Sequence, residues 1–181
     1  MNSKQYWMKQ NVDYRILKNF CHVFNHKHKQ LKVAARINRI IPIDEIIVPE
    51  LDGVRFKYYS MFKPVIKKYE KHGKSADYSR TKLWKFEYSI APKNNKAQVR
   101  RRFREFFKLF DSIKKKGFKK YPNKMVRLID TEGMVRHNLP QGERFSEKYY
   151  RLNGMKRCFI AKYLGIEKIP CRVLRIRIVS L

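Results

Sequence analysis

A chain of 181 residues has room for one domain with attachments and needs no disulfide staples to bury a core. Hydrophobic residues make up 43%, with twelve Phe and eleven Tyr, which excludes wholesale disorder. Forty-four Lys and Arg against fifteen Asp and Glu leave +29, a self-repelling surplus whose usual reason is a polyanionic partner.

Residues 1–38 read as a basic helical arm. Ser3 is placed to cap a first turn, and Ile16, Leu17, Phe20, Val23 and Phe24 recur at helical spacing. Cys21, His22, His26 and His28 cluster there, but no second cysteine completes a finger spacing, so no metal site is assigned. "RIIPIDEIIVP" (39–49) reads as a strand broken by a turn at Pro42-Ile43-Asp44. Residues 50–95 read as an insertion, with helical spacing at Tyr59, Phe62, Ile66 and Tyr69 that stops at His72-Gly73.

The clearest helix covers 96–116. Val99, Phe103, Phe106, Phe107, Phe110 and Ile113 make one apolar stripe, Asn94 or Asn95 caps the start, and Gly117 closes the end. Its other side carries Arg100, Arg101, Arg104, Lys108 and Lys115, which suit either a solvated face or a surface that tracks phosphates.

Two strands follow, "KMVRLID" (124–130) and "KYYRLN" (148–153), separated by a long polar loop. Arg136, His137 and Arg144 in that loop are positioned to close over a ligand. A helix from Lys156 to Leu164 stops at Gly165, and "IPCRVLRIRIVSL" is a final strand. Cys171 and Val173 share one parity in it, while Leu174, Ile176 and Ile178 take the other. Either a bulge falls near 173–174 or both faces are buried. The order of elements predicts an α+β domain with a small mixed β-sheet and packed helices.

Three cysteines, odd in number, point away from a disulfide framework and toward a reducing, cytoplasmic setting. No apolar run of about 18 residues predicts a membrane span. The N-terminal residues lack the apolar core of a secretory signal.

Asn153-Gly154 carries most of the chemical information. Gly accepts a positive φ without steric cost, and the helix that follows begins with amide donors and a partial positive charge. Placing Lys156 and Arg157 there opposes the helix field by roughly 0.3–1 kcal/mol per charge. A bound anion reverses the sign, because amides, ammonium and guanidinium then converge on one phosphate. The stretch is locally inconsistent without a ligand, and such conflicts mark functional sites.

"YYRLNGMKRCFIAKYLGIEKIPCRVL" resembles the signature of the ParB-like/sulfiredoxin superfamily, in which a strand ends in Gly, Arg follows three residues on, then Ala, Leu-Gly, Ile-Pro and a closing strand. Gly154, Arg157, Ala161, Leu164, Gly165, Ile169 and Pro170 stand in those places. "LFDSIKKKGF" (109–118) and "IPIDEIIVP" (41–49) are similar to the helix and opening strand of that family. The resemblance implies a ParB-like domain over 39–181 with the insertion at about 50–95, and a Gly-x-x-Arg turn that holds phosphates. In partition proteins the ligand is CTP beside DNA; in sulfiredoxins and free-serine kinases it is ATP or ADP. Met155 stands where partition proteins carry Glu, sulfiredoxins their reactive Cys and many kinase-like members His. No helix-turn-helix or dimerisation segment is read after the last strand, so a centromere-binding role is not expected.

The resulting expectation is a phosphate-binding domain, with Asn153, Gly154, Lys156 and Arg157 at the anion and Arg100, Arg101, Arg104 and Lys108 on nucleic acid. Its partners are nucleic acid, DNA ahead of RNA, and/or a nucleotide, with no membrane. The second expectation is an enzyme of the same fold, a metal-dependent nuclease or a phosphotransferase acting on a nucleoside triphosphate with Mg²⁺. That chemistry needs carboxylates to hold the cation, for which Asp44, Glu45, Asp130, Glu132 and Glu143 are the candidates. The third is a basic protein that coats nucleic acid.

Overall fold

The computed structural model describes residues 3–9, 14–23, 31–47, 54–91, 95–119, 125–131 and 149–178. The fold is α+β. Its helices are α1 (Ser3–Lys9), α2 (Tyr14–Val23), α3 (Val54–His72), α4 (Lys82–Ser89), α5 (Lys96–Lys116) and α6 (Met155–Tyr163). Its strands are β1 (Leu31–Pro42), β2 (Ile46–Ile47), β3 (Val126–Asp130), β4 (Tyr149–Arg151) and β5 (Lys168–Ile178). The chain divides into two compact units, Met1–Leu51 with Phe118–Leu181, and Asp52–Gly117.

The first unit holds a mixed sheet in the order β1-β5-β3-β4-β2. β1 is antiparallel to β5, β5 parallel to β3, β3 antiparallel to β4, and β4 parallel to β2. β1 and β2 lie at opposite edges, yet only the 3-10 turn Ile43–Glu45 joins them. Four strand spacings of a flat sheet cover roughly 19 Å. Four residues of chain reach at most about 14 Å. The sheet therefore curls until its edges approach. Arg39 Nη1 on β1 donates to the Tyr149 hydroxyl on β4 at 3.5 Å, three strands away in sheet order.

Each face of the curled sheet has its own core. Val126, Leu128, Cys171 and Val173 pack with Ile41, Ile46 and Ile169 against Cys158 and Ala161 of α6. On the other face Leu31, Ile129, Tyr150, Leu152 and Leu174 pack against Trp7, Leu17, Phe20 and Cys21 of α1 and α2. The parity change in the last strand is thus resolved: β5 buries both faces. The register shift lies on β1, between Val33 and Ala35.

Two sequence boundaries differ in the structure. The arm does not remain helical to residue 38, because β1 begins at Leu31 and alternates buried or half-buried Leu31, Val33, Ala35 and Ile37 with exposed Lys32, Ala34, Arg36 and Asn38. Nor is the arm detached: the Val33 amide donates to the Tyr6 hydroxyl at 2.9 Å, and the Phe20 and Tyr150 rings meet edge to face. The inserted unit ends at Gly117 rather than near 95. The reason is that the apolar stripe of α5 packs on α3 and α4, through Phe62–Phe106, Tyr69–Phe107 and Trp84–Phe103.

The helical unit matches its sequence pattern closely. Asn95 caps α5, its Oδ1 accepting from the Gln98 amide at 3.1 Å, and Gly117 follows the helix at φ 64°. α3 ends at His72 before Gly73, which also has positive φ. Among the described residues no helix is long and apolar enough to cross a membrane.

Candidate phosphate site at the head of α6

β4 leads through Asn153 and Gly154 directly into α6. Gly154 has φ 84° and ψ 20°, and it lies so close to β3 that a Cβ there would meet Val126 Cγ2 at 2.9 Å and Val126 Cα at 3.2 Å. Its carbonyl accepts the Arg157 amide at 2.9 Å and the Cys158 amide at 3.1 Å, which starts the helix three residues after the strand. The turn is latched to β3 on both sides. Asn153 Oδ1 accepts from the Arg127 amide at 3.0 Å, and the Leu152 amide donates to the Arg127 carbonyl at 2.8 Å.

Arg127, whose backbone forms this latch, and its strand neighbour Arg172 add two cations on the other face of the sheet. Arg127 pairs in register with Arg172 on the neighbouring parallel strand, so both side chains leave the sheet on the same face, opposite to Val126, Leu128, Cys171 and Val173, which pack on α6. Arg127 is buried, and Arg157 and Arg172 are half-buried. The Arg127 guanidinium has its pKa lowered by burial first, then by the positive charges of Arg172 and Arg157. Burial likewise lowers that of Arg157. Like charges held together out of water raise the free energy of the charged forms. An anion placed among them offsets that cost. Arg172 is steered by Asn38 on β1, whose Oδ1 accepts from Arg172 Nε at 3.2 Å.

Of the residues singled out in the sequence, Gly154, Lys156 and Arg157 stand together at this turn, with Lys156 half-buried like Arg157. Asn153 is there as the latch. Sequence reading does not single out Arg127 and Arg172. The signal for them is a long cation inside a strand that is otherwise apolar on both faces, "VRLID" and "CRVL". Cys158, next to Arg157, is fully buried in the core and its thiol is pushed up to about 11 by that burial, so it is not a nucleophile at neutral pH.

Among the described residues the carboxylate candidates do not gather here. Asp130 ends β3, four residues or roughly 13 Å along the strand from Val126. Its Oδ2 lies 3.7 Å from Arg175 Nε, which engages it elsewhere. Asp44 is exposed and Glu45 half-buried in the 3-10 turn after β1. Glu132 and Glu143, with Arg136, His137 and Arg144, lie outside the described residues. So do His26 and His28; of their neighbours, Cys21 is buried in the core and His22 is exposed. Among the described residues no three His, Cys, Asp or Glu side chains are grouped to hold a metal.

Arg100, Arg101, Arg104 and Lys108 are all exposed on α5. They belong to the helical unit, whereas the Gly154 turn belongs to the sheet unit.

Comparison with protein-family models, with curated proteins and with solved structures finds no match. The likeness to the ParB-like superfamily accordingly rests on residues of this chain alone.

Proposed function

We propose that this chain is a ParB-like phosphate-binding domain that engages nucleic acid and/or a nucleotide through the turn Gly154–Arg157. The observation that carries the reading is a positive-φ glycine at a helix head whose first turn bears half-buried Lys156 and Arg157, with buried Arg127 near enough for the charge of Arg157 to lower its pKa. Guanidinium groups present a planar fork that matches phosphate oxygens, and the α6 dipole adds to their field. The strand, Gly turn, helix, Gly165 and Ile169-Pro170 strand follow the order that the family signature requires.

Binding without turnover is the form of this reading that the residues favour. Met155 offers no acid, base or nucleophile where family members place Glu, Cys or His. Asp130 is engaged by Arg175 at the far end of β3. The expected test is titration of labelled duplex DNA, RNA and nucleoside triphosphates at two salt concentrations. Arg157→Ala should weaken binding roughly 10- to 150-fold, the 1.5–3 kcal/mol of a charged hydrogen bond. A variant that binds every one of these ligands as tightly as the parent removes the pocket from the account, and product formed from plasmid or ATP with Mg²⁺ restores the enzyme reading.

A further inference from the structure

The helical unit carries a charge pattern that its own stability does not explain. Asp52–Gly117 holds twenty Lys and Arg against six Asp and Glu, so it supplies +14 of the +29 of the chain. Every acid among its described residues is engaged within the unit. Glu70 meets Lys114 at 2.6 Å, Glu87 meets Arg102 at 2.7 Å, and Glu105 lies 3.8 Å from Arg101. Asp77 accepts from the Ser79 amide at 2.9 Å and Asp111 from the Tyr69 hydroxyl at 2.6 Å.

Arg100, Arg104 and Lys108 then stand at i, i+4 and i+8, all exposed on α5, in a row that starts beside the buried stripe of Val99, Phe103, Phe106, Phe107 and Phe110 and turns away from it. Like charges at i, i+4 destabilise a helix by about 0.2–0.5 kcal/mol per pair, and here two pairs follow each other. Lys114, Lys115 and Lys116 have an ordinary explanation, since the last turn of a helix favours cations. Arg100 and Arg104 lie in the other half of the helix, where the dipole gives them no support.

We infer that the Arg100–Arg104–Lys108 ladder is a second phosphate-contacting surface, and that its partner is the backbone of a DNA duplex. The ladder runs for about 12 Å along the helix, turning by about 40° per step, so it presents one row of charge to a linear polyanion. Among its flanking positions Lys96, Ala97, Arg101, Phe103, Glu105, Phe107, Asp111 and Ser112, the two rings are buried, so none is open for an unpaired base to stack on, which favours duplex over single strand. They expose no large apolar anchor of the kind a protein interface centres on. The apolar face of α5 is already buried, so it has none to insert into a bilayer. This inference does not depend on the Gly154 pocket.

The test uses the full chain, a mixed-sequence duplex of about 20 base pairs and fluorescence anisotropy across a range of NaCl, since log affinity falls with log salt by about 0.9 per phosphate contact. Arg100→Gln/Arg104→Gln/Lys108→Gln should flatten the slope by about 2.7. The charge-matched control is Lys63→Gln/Lys67→Gln/Lys71→Gln, three exposed lysines at the same spacing on α3, which should change the slope by less than about 1. Equal flattening by both triples means diffuse charge and overturns the inference, as does an unchanged slope in the α5 variant or tighter binding to the single strand. Arg157→Ala removes one contact at most, so its slope separates failure of this surface from failure of the pocket.

Discussion

Gly154 is the residue on which the site turns, and its φ of 84° together with its distance from Val126 makes it hard to replace. A left-handed backbone costs a non-glycine residue about 1–2 kcal/mol before any clash. The approach to Val126 Cα adds to this, because a strand backbone cannot move aside as a side chain can. Gly154→Ala should lower the melting temperature by roughly 2–8 °C, readable by thermal denaturation. Tyr69 gives a different kind of expectation. Its donation to Asp111, then burial, push its pKa from 10.0 up to about 12. A phenol whose folded pKa exceeds its unfolded one contributes stability that is whole below pH 10 and is lost as pH climbs toward 12. Denaturant midpoints at about pH 9 and pH 11 should therefore fall further for the parent than for Tyr69→Phe. At this scale the sequence was partly legible. The turn at Gly154 and the helix head that bears Arg157 showed through because Asn-Gly suits a positive φ and an apolar helical period follows it. Arg127 and Arg172 did not, because only pairing between strands 45 residues apart in sequence sets them side by side.

Elements were legible wherever one period governed them. The stripe of α5, with Asn95 before it and Gly117 after it, marks the helix to the residue. From sequence alone β1 reads as the tail of a helix, since "LKVAARINR" mixes apolar and basic residues and its alternation is modest. Its alternation acquires meaning only against β5, whose Ile176, Leu174 and Val173 it faces. α4 is not legible in the sequence because its burial depends on partners from other helices. One of those partnerships is an ion pair: Glu87 is 8% exposed at its side chain and sits 2.7 Å from Arg102. Arg102→Ala leaves that carboxylate buried without its cation and should cost about 1.5–3 kcal/mol in chemical unfolding. Replacing both residues with Leu should recover most of the loss, because the desolvation of both charges is removed together.

At the scale of the molecule, the surplus of +29 works against compaction. Raising NaCl from about 0.05 M to about 0.3 M shortens the screening length below 10 Å and should raise the melting temperature, the reverse of what a fold held by surface ion pairs shows. The α+β class and the mixed sheet were legible from the order of periods along the chain. The curl of the sheet was not, because it follows from which strands become neighbours, and only afterwards does the shortness of Ile43–Glu45 force the edges together.

β5 has one more consequence, for the order in which the protein takes shape. It is the only described strand that joins β1 to the remainder of the sheet. During synthesis no described strand is available to pair with β1 until Lys168–Ile178 emerges. The helical unit, whose contacts are all closer in sequence, can settle well before then. The exposed edge of β1 is protected in that interval chiefly by its own charges, Lys32, Arg36 and Arg39, which discourage nascent chains from pairing with one another.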